Sequence, residues 1–129
     1  MPEAGEYQRS DGTCPFQDSF TSCEVKAQVR IDTTIRKLER GLRPDVESVG
    51  QGVHEARIDY GPGYRVYFRI DGTELVVLLL CGDKRTQDQD IADAKVYWTE
   101  YNVRKKVPPP KKGQSPATPL LRPDDNGEE

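Results

Sequence analysis

The chain is poor in the residues from which metal sites and disulfide frameworks are built, with three cysteines and one histidine among 129 residues. Cys14, Cys23 and Cys81 are odd in number and lack C-x-x-C spacing, which argues against both a zinc site and a set of paired disulfides. With no signal-peptide pattern either, a reducing cytoplasm is the expected setting. No apolar run approaches the roughly 20 residues that a membrane-crossing helix needs, so the expectation is a soluble protein with no membrane partner. Phosphate-cradling glycine loops are missing too, since Gly61-Pro62-Gly63 is short and joins two strands, and Gly82 is not followed by further glycines. Serine-nucleophile arrangements are absent. Asp88, Asp90 and Asp93 fall on different sides of a helix, where offsetting the positive end of its dipole is the simpler role. No metal and no cofactor are expected.

Apolar residues make up only 34% of the chain, and glycine and proline number 11 and 10, so the core must be concentrated in part of the sequence. The net charge of -3 is unevenly spread: residues 1–19 and 107–129 together carry -4, leaving about +1 for residues 20–106. Charge alone therefore neither supports nor excludes nucleic-acid binding.

Residues 1–16 are polar and without period, and read as a flexible N-terminal arm. Gln17 to Cys23 reads as a short helix. From Glu24 to Arg40, the residues Ala27, Ile31, Ile35 and Leu38 recur at spacings of four, four and three, which lines one face of a helix ended by Gly41 and Pro44. Leu42 to Gly52 reads as a loop. Val53 to Tyr60 then alternates strictly, as a strand with two unlike faces does. A three-residue turn over Gly61 to Gly63 would set Tyr60 opposite Tyr64, Ile58 opposite Val66 and Ala56 opposite Phe68. Leu75 to Leu80 is apolar throughout, the mark of a central strand covered on both sides. Thr86 with Gln89 fits a capping box, and Ile91, Ala94, Trp98 and Tyr101 define a helix closing over the sheet. Residues 102–129, basic and proline-rich and then acidic, read as a disordered tail. The domain proper is thus expected over 17–101.

The alternation gathers Arg57, Asp59, Arg65, Tyr67 and Arg69 on one sheet face, and Lys84 and Arg85 arrive where the third strand ends. Such a cluster suits RNA cleavage without metal, in which the RNA's own 2′-hydroxyl attacks the adjacent phosphate. The protein then stabilises charge on phosphorus and moves two protons. Arginine fits the first task through its planar, always charged fork. Lysine fits the second where its surroundings lower its pKa. Arg65, Lys84, Arg85 and Arg57 are the candidate catalytic residues, with Tyr67 and Arg69 as candidate RNA contacts. The alternative stays open: Arg57, Asp59, Arg65, Arg69 and Glu55 also suit ordinary cross-strand charge pairs. His54 falls with Ala56 and Ile58 and reads as a partly buried, satisfied histidine.

Gly52, Val53, Glu55, Arg57, Ile58 and Tyr60 through Phe68, followed by Gly82, Asp83, Lys84, Thr86, Gln87, Asp90, Ile91, Ala94, Lys95 and Trp98, resemble the HigB-like addiction module killer branch of the RelE/ParE toxin superfamily. The likeness covers roughly residues 25–101. Where that pattern has a leucine before its first arginine, this chain has Ala56. The resemblance implies an α+β, RelE-like fold, with two N-terminal helices packed on a small twisted antiparallel sheet and a C-terminal helix. It further implies the toxin of a type II toxin–antitoxin pair, a ribosome-dependent mRNA endonuclease restrained by a small helix-turn-helix antitoxin. By the same resemblance, Arg65 matches the arginine of the RelE-type Gly-Tyr-Arg motif, and Lys84 and Arg85 match the basic residues after the third strand. Two alternatives remain, a ParE-like gyrase poison and a catalytically inactive antitoxin-binding module.

Overall fold

The computed structural model describes residues 3–43, 45–72 and 75–104. Its elements run β1 (Glu3–Glu6), α1 (Pro15–Thr21), α2 (Val25–Glu39), β2 (Val46–Gly50), β3 (Val53–Ile58), β4 (Tyr64–Asp71), β5 (Leu75–Asp83), a 3-10 turn over Lys84–Thr86, and α3 (Gln87–Arg104). The fold is α+β, as expected. The five strands make one sheet in the order β1-β5-β4-β3-β2. All neighbours are antiparallel except β1, which runs parallel to β5, so the sheet is mixed rather than wholly antiparallel.

Helices cover both faces of the sheet. On one side, Phe16 of α1 and Ala27, Ile31, Ile35 and Leu38 of α2 pack on Ala56, Val66, Phe68, Val76 and Leu78. On the other, Ala94 and Trp98 of α3 pack on Val53, Tyr67, Val77 and Leu79. The unbroken apolar run of β5 follows from its place inside the sheet between these layers, where every residue from Val76 to Cys81 is buried. Each such side chain contributes roughly 1.5–3 kcal/mol on burial. A bulge lies where Tyr67 pairs with Leu80 but Phe68 with Leu78. It sends both Leu79 and Leu80 to the α3 side and returns Cys81 to the α2 side.

Five expectations change. The arm expected over residues 1–16 instead carries β1, whose residues pair with Leu75–Leu78, and Tyr7, which is 4% exposed. Glu100 of α3 holds this segment, accepting hydrogen bonds from the Tyr7 hydroxyl at 2.9 Å and from Arg9 at 3.1 and 2.8 Å. The loop expected over 42–52 contains the edge strand β2. The β3–β4 register is two residues from the expected one, with Ile58 opposite Tyr64, Ala56 opposite Val66 and His54 opposite Phe68. A two-residue shift leaves every side chain on its face, so the predicted face-sharing survives. Before the last helix, Asp83 caps the 3-10 turn over Lys84–Thr86, accepting from the Arg85 backbone N–H at 2.8 Å. The Thr86 hydroxyl donates instead to Asp90 at 2.6 Å. Asn102 to Arg104, assigned to the tail, form the last turn of α3, and the rest of the expected tail lies outside the described residues.

Candidate functional site

The arginine-bearing face of β3 and β4 is the face that α3 covers, and this decides the fate of each predicted residue. Arg57 and Arg65 are direct cross-strand neighbours. Arg57 lies toward the sheet edge, 43% exposed along its side chain, and its Nη1 faces Glu47 of β2 at 3.5 Å. Arg65 is drawn inward and is only 11% exposed along its side chain. Its Nη1 donates to the Gly63 carbonyl at 2.7 Å. Its Nε stands 3.3 Å from Oε2 of Glu55, itself 2% exposed. That approach is bent away from a hydrogen bond, so Nε is answered as a charge and not as a donor. The Glu55 Oε2 also accepts from the Tyr67 hydroxyl at 3.2 Å and from the Gln87 side-chain amide at 2.7 Å. Two hydrogen-bond donors, from β4 and α3, and the charge of Arg65 thus converge on one carboxylate oxygen.

Lys84 and Arg85 follow directly from the end of β5, where Gly82 is the cross-strand partner of Arg65 and Asp83 that of Tyr64. The turn before β4 makes room for both neighbours. Gly63 has a φ of 85°, and a Cβ there would lie 3.2 Å from the Arg65 guanidinium and 3.7 Å from Lys84 Cβ. Arg85 is folded back on Asp83, with Nη2 to Oδ2 at 2.6 Å and Nε to Oδ1 and Oδ2 at 3.3 and 3.2 Å. Those bonds hold the Asp83 carboxyl below the usual carboxylate range. Lys84 is exposed and takes part in no ion pair among the described residues.

A family described as phage derived protein Gp49-like (DUF891) matches residues 18–101. The chain belongs to this family. An uncharacterized protein of Haemophilus influenzae is 46% identical to this Gp49-like chain over 79 residues, which is 61% of the chain and 80% of that protein. The matched span includes every residue of the arginine cluster.

Within the Gp49-like chain, the structure brings together Arg65, Lys84 and, across the strand pair, Arg57. Of the two predicted RNA contacts, it buries one and engages the other within the fold. Tyr67 is fully buried under α3 and bonded to Glu55, so its ring has no free face on which a base could stack; burial and the neighbouring carboxylate also push its hydroxyl pKa up. Arg69 bonds the Gly52 carbonyl at 3.0 Å and lies 4.7 Å over the Trp98 ring. Its guanidinium is spent on closing α3 against the β2–β3 turn, and a Cβ at Gly52 (φ 83°) would collide with it. Ordinary cross-strand charge pairing, the alternative reading of this face, is realised in the Glu55–Arg65 pair. Sequence reasoning missed Gln87 as a partner and Asp83 as a charge held against Arg85. The signal for Glu55 was present in its place on the arginine face, but nothing in one strand's alternation says that a helix covers that face.

Chemically, the site can present cations to an anion at the β5–α3 corner. Tyr64, the cross-strand partner of Asp83 at this corner, is buried in the core on the α2 side, and His54 lies on that side too, 5.5 Å from the Phe68 ring. Among the described residues, no helix is long and apolar enough to cross a membrane.

Proposed function

We propose that this chain is the toxin of a type II toxin–antitoxin pair of the HigB-like kind, cleaving messenger RNA on the ribosome with the RNA 2′-hydroxyl as nucleophile. The Gp49-like family is toxin-like and related to RelE and HigB, and a small helix-turn-helix antitoxin is the partner that this reading implies. The observation that carries it is the corner itself. Arg65 is bonded to the Gly63 carbonyl, and Lys84, with no ion-pair partner among the described residues, lies across the same glycine. A phosphate entering here would meet the Arg65 guanidinium and the exposed Lys84, cations that phosphoryl chemistry without metal can use to offset developing charge. Arg65 is the group assigned to the scissile phosphate and Lys84 to charge stabilisation or proton transfer, with Arg57 and Arg85 as lesser cations.

A second reading draws on a different observation. Arg57, Arg65 and Arg85 each already face a carboxylate, from Glu47, Glu55 and Asp83, which lowers the positive potential available to RNA. That favours an antitoxin-binding module without catalysis. The deciding experiment is induced expression in a bacterial host with transcript ends mapped on translated and untranslated copies of one message. New ends confined to the translated copy support the nuclease. Growth arrest with DNA damage and intact messages transfers the assignment to a gyrase poison. No arrest at all leaves the binding module.

A further inference from the structure

We infer that Glu55 is a positioning residue for Arg65. Its buried carboxylate, itself held by Tyr67 and Gln87, fixes the guanidinium so that Nη2 is the donor left to face a phosphate beside Lys84. The inference rests on the RNA-cleaving reading above and adds to it the group that organises its central arginine.

The geometry leaves Arg65 little freedom. Nη1 is committed to the Gly63 carbonyl at 2.7 Å, and Nε is buried against Glu55 Oε2 at 3.3 Å. Nη2 takes no partner among the described residues. A guanidinium is planar, so fixing two of its nitrogens fixes the direction of the third. Glu55 is equally constrained, for it is 2% exposed, and Tyr67 from β4 and Gln87 from the first turn of α3 both donate to the same Oε2. The chain of contacts therefore runs from α3 through Glu55 to Arg65. A cation oriented before substrate arrives pays no reorganisation in the transition state, which is the source of most electrostatic catalysis.

Because both hydrogen-bond donors and the Arg65 charge meet at Oε2, Glu55→Gln is a clean probe. The glutamine carbonyl oxygen can occupy that position and accept from Tyr67 and Gln87, so those two hydrogen bonds survive while the charge that draws the Arg65 guanidinium inward is lost. In 15N-labelled full-length protein, the Arg65 Nε–H should exchange with solvent far more slowly than that of Arg57, whose side chain is 43% exposed. In Glu55→Gln the two rates should converge. In single-turnover cleavage of ribosome-bound message, Glu55→Gln should slow the step about 100-fold, as a misplaced reacting group does, while the half-saturating ribosome concentration changes little. A merely structural glutamate predicts wild-type cleavage by the isosteric variant, and that result overturns the inference. So does rapid Nε–H exchange in the unmutated chain, a measurement that needs no variant to fold. If the unmutated chain cuts no message, the nuclease reading falls and exchange alone decides: slow exchange released by Glu55→Gln keeps Glu55 as the group that fixes Arg65, and rapid exchange removes it.

Discussion

Arg65 and Glu55 form a buried ion pair, and such pairs are costly to break from one side only. Arg65→Ala leaves the Glu55 charge desolvated, with only Tyr67 and Gln87 as neutral donors. It should lower stability by about 3 kcal/mol. Adding Glu55→Gln to Arg65→Ala removes the stranded charge and should recover a large part of that loss, seen as a higher urea midpoint in the double variant than in the single one. A double variant no more stable than Arg65→Ala would mean that packing, not charge, couples the two positions. Lys84 and Arg85 are adjacent in sequence but not equivalent in structure. Arg85 is tied to Asp83 by side-chain and backbone bonds, whereas Lys84 has no ion-pair partner among the described residues. Lys84→Ala should therefore reduce message cleavage about 100-fold or more, and Arg85→Ala by roughly a few-fold, as expected for a surface charge already paired. The reverse ranking in a cleavage assay would move the proton-transfer or charge-stabilising role to Arg85.

Elements with a strong period were readable and those held only by backbone were not. Ala27, Ile31, Ile35 and Leu38 announce α2 because the face they line is the buried one, and Leu75 to Leu80 announces a central strand by lacking any polar face. The strand β1 has the sequence Glu-Ala-Gly-Glu, with no apolar alternation to show it. It exists because the outer edge of β5 offers unpaired backbone groups and because Glu100 anchors Tyr7 and Arg9. Tyr67 was misread for a related reason: alternation tells which residues share a face, but not which element lies on it. The placement of β1 has a testable consequence. Without it, β5 presents an apolar strand with an open edge, the arrangement that natural sheets avoid because it templates pairing with other chains. Deleting residues 1–9 should produce concentration-dependent association in light scattering, and Tyr7→Ala alone should cost about 3 kcal/mol in urea unfolding. A truncated chain that stays monomeric at high concentration would show that another segment protects the edge.

At the scale of the molecule, five of the described arginines, Arg9, Arg36, Arg57, Arg65 and Arg85, stand against carboxylates, and stability should follow the few groups whose titration the fold alters. His54 sits against Phe68 with Nδ1 buried and unpartnered. Burial, and then the charges of Arg69 and Arg43, lower its pKa from 6.5. The unfolded chain therefore binds this proton more readily than the folded one, so His54 favours the fold above about pH 6.5 and loses that contribution as pH falls through its lower folded value. Asp83 is depressed mainly by its bonds to Arg85. It supports the fold above its ordinary carboxylate range and stops doing so only in more acidic solution. Asp90 is raised by burial, so its penalty is relieved as pH falls, and it cannot account for a loss of stability on acidification. The urea midpoint should accordingly drop between pH 7.5 and 5, and His54→Gln should flatten that interval while leaving the steeper loss below about pH 4, where carboxylates protonate, in place. Asp83→Asn should do the opposite, reducing the low-pH loss and sparing the neutral interval. An unchanged slope between pH 7.5 and 5 in His54→Gln would assign the neutral-range titration to a group other than this histidine.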